Sequence, residues 1–257
     1  MFKQSKYKRI TTAVFPDKEG DGIVNHEVGN LLHYAATTPS KLPKIGKLLE
    51  KRGKLELEKR HVGQVGVVMD AFNKLIDACH DHLTMFAINC LNMIEACFLD
   101  SSPEVKMFAK ETFVRFVSVE SVGGHAQSAA NLVVFLLKMA ETPLDEPLSM
   151  ELRVAGLSGL QVFIAVVDDI DVIIRPTNQT SSSPSSPSSS PPSDIDHLMR
   201  VVLDNLNMAF KQDPDLKYDP DHDGEEIGGE KGLGQTAMRC ISNLASRLNN
   251  ITVRTVV

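Results

Sequence analysis

Apolar residues recur at spacings of three and four from Asn25 to Leu160, and strand-like alternation is scarce. The chain therefore reads as helix after helix, with predicted segments near 25–37, 40–54, 61–80, 83–99, 103–119, 126–141, 149–167, 195–211 and 235–248. Segment 61–80 shows what such helices need. Val65, Val68, Met69, Phe72, Leu75, Ile76 and Cys79 form a stripe too broad for a coiled-coil seam, so the helix needs neighbours on more than one side. Short connections make successive helices antiparallel, and pairs spaced about 40 residues apart suit armadillo or HEAT stacking, although no clean repeated motif stands out. The predicted fold is all-α: an armadillo/HEAT-like α-solenoid of paired antiparallel helices, with a compact helical bundle as the alternative.

Residues 1–24 are expected to form a basic amino-terminal arm and residues 25–257 the solenoid, interrupted by disordered loops at 176–194 and 213–235. The first loop contains TSSSPSSPSSSPPS, which has nothing to bury and too many prolines for a helix. Its Ser-Pro pairs make it a candidate phosphorylation target.

Charge changes the picture more than composition does. Lys and Arg outnumber Asp and Glu by 13 to 7 over residues 1–60, and are outnumbered 14 to 26 over residues 61–257. A positive head on an acidic body is drawn to phosphate-bearing surfaces by one end only. Lys41, Lys44, Lys47, Lys51 and Lys54 step by three and four, which places them on one side of a helix, while Leu42, Ile45, Leu48 and Leu49 lie on another. Lys3, Lys6, Lys8 and Arg9 form a second cluster, with Phe2, Tyr7 and Phe15 as candidate interfacial side chains. Anionic inner-leaflet lipid is the expected partner; nucleic acid is not, with 5% aromatic residues, no Trp and no recognised motif. No apolar run approaches the ~18–20 residues of a spanning helix, because Asp168, Asp169 and Asp171 break the best one, from Gln161 to Arg175.

Other chemistry is thin. Cys79, Cys90, Cys97 and Cys240 sit in apolar periodic stretches without CxxC spacing, which argues against disulfides or zinc and for a reducing compartment. Asp219, Asp221, Asp223, Gly224 and Glu230 fit the spacing of a calcium loop, but Glu226 replaces the usual branched apolar residue and nearby glycines disfavour the exit helix, so a solvated acidic loop is the expectation. Ser158 lacks the last glycine of a nucleophile elbow and falls in a helical context. His80 and His82 lie at an expected helix end and, two residues apart, share no helix face. No enzyme, cofactor or metal is expected.

Residue order adds a resemblance. Tyr7-Lys8-Arg9, Phe15-Pro16, Asp21-Gly22, Leu32, Tyr34-Ala35, Pro39, Lys41-Leu42, Ile45-Gly46 and Leu49 resemble the amino-terminal signature of the eighty-five-requiring-three (rolling blackout) family. Gly63, Val65, Met69, Ala71, Leu75 and Ala78-Cys79-His80 fit its next helix. Phe113-Val114-Arg115-Phe116 is similar to its FVKF segment; Arg153, Gly156 and Gly159-Leu160-Gln161 are similar to its RxxGIKGLQ segment; Arg239-Cys240 and Asn250-Ile251 fit a later one.

The resemblance implies a non-catalytic armadillo/HEAT-like scaffold on the cytoplasmic face of the plasma membrane, with a cytosolic pool. There it would anchor the complex of phosphatidylinositol 4-kinase alpha through a tetratricopeptide-repeat partner. Many animal members start with palmitoylated cysteines, whereas the first cysteine here is Cys79, so the basic surface of fungal members is the closer analogy. Family members run several times longer, and this chain is expected to be a fragment or short form that retains the membrane-facing end. A generic α-solenoid interaction module without membrane binding is the alternative.

Overall fold

The computed structural model describes residues 5–16, 22–119, 124–166, 194–217 and 230–255. Among these residues there is no strand, and the helices are α1 (Lys6–Ala13), α2 (Asn25–Thr37), α3 (Leu42–Glu58), α4 (Val62–Ala78), α5 (Ala87–Phe98), α6 (Pro103–Val119), α7 (Ala126–Ala130), α8 (Val133–Ala140), α9 (Ser149–Val166), α10 (Asp194–Gln212) and α11 (Glu230–Thr255). Short 3-10 segments at Pro39–Lys41 and His80–Met85, the latter kinked at His82, enter α3 and α5. The chain forms two compact units, Met1–Ala129 and Ala130–Val257, a division the sequence reading did not draw.

In the first unit α4 is wrapped by α2, α3 and α6, while α5 packs against α3 and α6. This is the arrangement its broad stripe demanded. All seven stripe residues are buried, and so are Gln64, Val67, Ala71 and Asn73. With Gly63, Gly66 and four valines, α4 is a poor helix by propensity; packing holds it. Residues 6–13, within the expected arm, form a helix docked on α2 and α3. Thr11 and Val14 are fully buried there, and the Val24 N–H donates to Val14 O at 3.0 Å, bringing the chain back to α1 before α2 begins.

The end of α3 is held by both backbone and charge. Arg60 takes the left-handed conformation (φ 61°), and the His61 N–H bonds Glu56 O (3.0 Å) while the Arg60 N–H bonds Leu57 O (3.0 Å), the pairing of a Schellman cap. Arg60 stands where glycine is usual, and its side chain spans to Asp100 (3.0 Å) at the turn between α5 and α6. Beneath the cap Glu56 is 1% exposed. His61 Nδ1 lies 2.7 Å from its Oε2, Arg52 Nε is 2.9 Å from its Oε1 and Lys59 Nζ 3.5 Å.

In the second unit α9 packs against α8 and α11, and α10 packs against α11 and α8. Arg153 ties three parts together: its Nε donates to Thr142 O (2.8 Å) and its Nη1 to Asn205 Oδ1 (2.9 Å). Asn205, 1% exposed, in turn donates to Ala140 O and Val201 O.

Several expectations shift. Predicted helix 83–99 starts later, because His80–Met85 is a separate turn and Phe86 has non-helical φ/ψ; helix 126–141 is broken between Ala130 and Val133. α11 begins at Glu230, inside the predicted loop 213–235, and Asp194, the last residue of the predicted loop 176–194, opens α10. The rest of the serine-proline loop, and Asp168, Asp169 and Asp171, lie outside the described residues. The search for an apolar span also needs correction. Ser149–Val166 is long and apolar enough to cross a membrane by length and composition, with a mean hydropathy of 1.3. Its apolar surface faces α8 and α11, and buried Leu152, Leu157, Leu160, Phe163 and Ile164 supply that hydropathy as core.

Candidate functional site

The basic residues of α3 separate by face as their spacing requires. Leu42, Ile45 and Leu49 are buried, with Leu48 half-buried, while Lys44, Lys47, Lys51 and Lys54 are exposed and Lys41, at the end of the preceding turn, is half-buried. Not all of this charge is free. Lys54 Nζ sits 2.7 Å from Glu50 Oε1, and Arg52 and Lys59 are engaged with Glu56. Lys44, Lys47 and Lys51 have no carboxylate partner within 4.0 Å among the described residues. Glu58 is an exposed acid near the same side, in the last turn.

Two buried or half-buried carboxylates lie on this helix, Glu50 bonded to α5 and Glu56 to its own helix and cap. Burial raises the Glu50 pKa, but hydrogen bonds from Lys54, Asn89 (2.7 Å) and Asn92 (3.3 Å) outweigh it and leave the carboxyl below its ordinary value. Glu56 behaves alike: burial raises its pKa, and the His61 hydrogen bond with the charges of Arg52 and Lys59 brings it below the usual range. Glu50 thereby joins α3 to α5 through Asn89 and Asn92. The lysine side faces outward because Leu42, Ile45 and Leu49 on the other side are fully buried.

The second cluster is carried by α1, where Lys6, Lys8 and Arg9 are all exposed. Lys6 Nζ lies 5.2 Å from the Tyr34 ring centroid on α2, and Arg52 of α3 lies 5.2 Å from the Phe15 ring. Phe15 is therefore half-buried under a guanidinium, and Tyr7 is half-buried as well. Lys3 and Phe2 lie outside the described residues. An open groove of about 590 Å³ runs between α1 and α2, lined by Lys6 and Arg9 on one side and by Glu27, Asn30, Tyr34 and Thr37 on the other. The sequence reading missed this groove; its signal was the i, i+3, i+7 spacing of Glu27, Asn30 and Tyr34 along one strip of α2.

The remaining candidates have other surroundings. Asp219, Asp221 and Asp223 lie outside the described residues, and Glu230 opens α11. Ser158 is half-buried inside α9 between Gly156 and Gly159, which pack against α8. All four cysteines are buried and unbridged; burial pushes the Cys97 and Cys240 thiols up to about 12, and raises Cys79 and Cys90 as well. Such thiols stay protonated and inert. Cys79 caps α4, and His80 Nδ1 reaches Asp77 O (3.3 Å) at that helix end.

An all-α helical-repeat protein whose α3 presents three exposed lysines without carboxylate partners among the described residues is a scaffold-like class of molecule. The chain belongs to the EFR3 armadillo-repeat family, whose pattern matches residues 28–257. It is 25% identical over 247 residues to Protein EFR3 homolog A of Xenopus laevis, covering 94% of this chain and 28% of that one. It is 29% identical over 171 residues to Protein EFR3 homolog cmp44E of Drosophila melanogaster, covering 64% and 20%. The chain thus spans less than a third of the length of these relatives. The crystal structure of Efr3 shares the fold with a TM-score of 0.59 at 17% identity, covering 95% of this chain and 46% of that one.

Proposed function

We propose that this chain is a non-catalytic peripheral scaffold that rests on an anionic membrane surface through Lys41, Lys44, Lys47 and Lys51 together with Lys6, Lys8 and Arg9. The observation that carries this reading is the α3 face: three lysines exposed and without a carboxylate partner among the described residues, on a helix whose other side is buried. A basic residue near an anionic cytoplasmic leaflet contributes about 1 kcal/mol. Lys44, Lys47 and Lys51 alone reach ~3 kcal/mol, short of the ~4.1 kcal/mol of millimolar binding; adding Lys6, Lys8 and Arg9 passes it. Both clusters are needed. The working location is the cytoplasmic face of the plasma membrane, with a cytosolic pool. The partner is the phosphatidylinositol 4-kinase alpha complex, reached through a tetratricopeptide-repeat protein in full-length relatives.

Co-sedimentation with vesicles containing phosphatidylserine or phosphoinositide tests the reading. The chain is expected to bind at low salt, and the triple change Lys44→Glu, Lys47→Glu, Lys51→Glu to abolish binding without loss of helical signal. Equal binding by the triple variant sinks the proposal and leaves a protein–protein interaction module as the surviving function.

A further inference from the structure

The groove between α1 and α2 carries charges of both signs that do not neutralise each other. Lys6 and Arg9 line it with Glu27, yet no ion pair within 4.0 Å joins either cation to that carboxylate. Lys6 stands over the Tyr34 ring instead. Glu27 accepts a hydrogen bond from Asn30 Nδ2 (3.1 Å) and faces His26 Nδ1 at 3.6 Å. Thr37 Oγ1 donates to His33 O (2.8 Å), so its hydroxyl meets the groove as an acceptor. The result is a dipolar cleft of about 590 Å³, within the ~300–1,000 Å³ usual for small-ligand sites.

That charge arrangement selects among anions. A bare phosphate cluster would meet Lys6 and Arg9 but be repelled by Glu27, and a neutral ligand would leave both cations without use. An anion carrying its own ammonium satisfies both sides. We propose that the α1–α2 groove is a recognition site for the phosphoserine headgroup of an anionic lipid, with the headgroup phosphate and carboxylate on Lys6 and Arg9 and its ammonium on Glu27. This rests on the membrane reading above and adds to it a choice of lipid: the surface attracts any anionic membrane, and the groove prefers one that bears an amine.

The test compares vesicles of phosphatidylcholine containing phosphatidylserine with vesicles containing the same fraction of phosphatidylglycerol, which has equal charge and no ammonium. The chain is expected to bind the serine vesicles about fivefold more tightly, the upper end of what one exposed ion pair supplies. Glu27→Gln, at a partly exposed position, is expected to weaken binding to serine vesicles and to leave or strengthen binding to glycerol vesicles. Free O-phosphoserine should displace wild-type protein from serine vesicles more effectively than inorganic phosphate at equal ionic strength. Equal binding to both vesicles overturns the groove while the electrostatic reading stands. Stronger binding of Glu27→Gln to serine vesicles, as loss of a negative charge alone would give, also overturns it. Failure to bind either vesicle at low salt overturns both.

Discussion

Glu56 is a buried carboxylate whose charged partners all come from its own helix and cap. A carboxylate only 1% exposed is costly unless cations surround it, and Arg52, Lys59 and His61 do. Arg52 Nε approaches at 2.9 Å without hydrogen-bond alignment, so that contact is ionic, and the well-directed bond comes from His61. Because the cations are themselves about 40–47% exposed and regain water when the acid is removed, Glu56→Gln should cost about 1–2 kcal/mol at neutral pH. The folded pKa lies below the unfolded value near 4.5, so this stabilisation is present above ~pH 4.5 and is lost as pH falls through the folded pKa. Urea unfolding of wild type and Glu56→Gln at pH 7 should differ, and the difference should shrink below ~pH 4. A constant difference across that range would remove the charged network as the cause. The spacing of Glu56 to Arg52 and Lys59 was legible in the sequence; its burial and the approach of His61 were not, since they depend on packing and on the Arg60 turn.

At the scale of elements, the RxxGxxGLQ stretch of α9 is a packing device. A Cβ at Gly156 would stand 2.5 Å from Leu136 O and 2.7 Å from Ala140 N, both backbone atoms of α8. At Gly159 the nearest obstacle is the side chain of Leu136, at 2.7 Å. Alanine gains ~1 kcal/mol of helix propensity at either site. At Gly156 the backbone cannot yield and overpacking wins, with a net loss of about 2 kcal/mol; at Gly159 Leu136 can rotate and the loss should be smaller. Thermal unfolding of the two alanine variants checks the order, and a larger loss at Gly159 would refute the account. The helical character of α9 was legible in its periodicity. Its role was not, because an 18-residue helix of mean hydropathy 1.3 has the same composition whether lipid or protein covers it. Here Arg153, bonded to Thr142 O and Asn205, is placed by protein.

For the whole molecule the charge asymmetry is the property with consequences in solution. Residues 1–60 carry 13 basic against 7 acidic residues, but part of that excess is internal: Lys54, Arg52 and Lys59 are engaged with Glu50 and Glu56. If the remaining exposed cations bind membrane by charge, raising salt from about 0.1 to about 1 M, which contracts the screening length from ~10 to ~3 Å, should release the chain from anionic vesicles. Retention at the higher salt would point to apolar insertion instead.

The sequence by itself determined that the chain is helical, that its helices have broad apolar faces and must stack, that α3 has a lysine side and a packing side, and, through ordered motifs, which family it belongs to. Periodicity and residue order are local properties and survive in one dimension. Lys54 pairs with Glu50 four residues before it, a spacing the sequence already shows. Only the tertiary structure decided the pairs between elements, Arg60 with Asp100 and Arg115 with Asp77. Only the structure turned part of the supposed arm into a docked helix, and only the docking of α1 on α2 formed a groove in which Lys6, Arg9 and Glu27 stand together without pairing. Pairing between elements depends on separations of a few ångströms between residues far apart in sequence, and those distances exist only after the helices have packed.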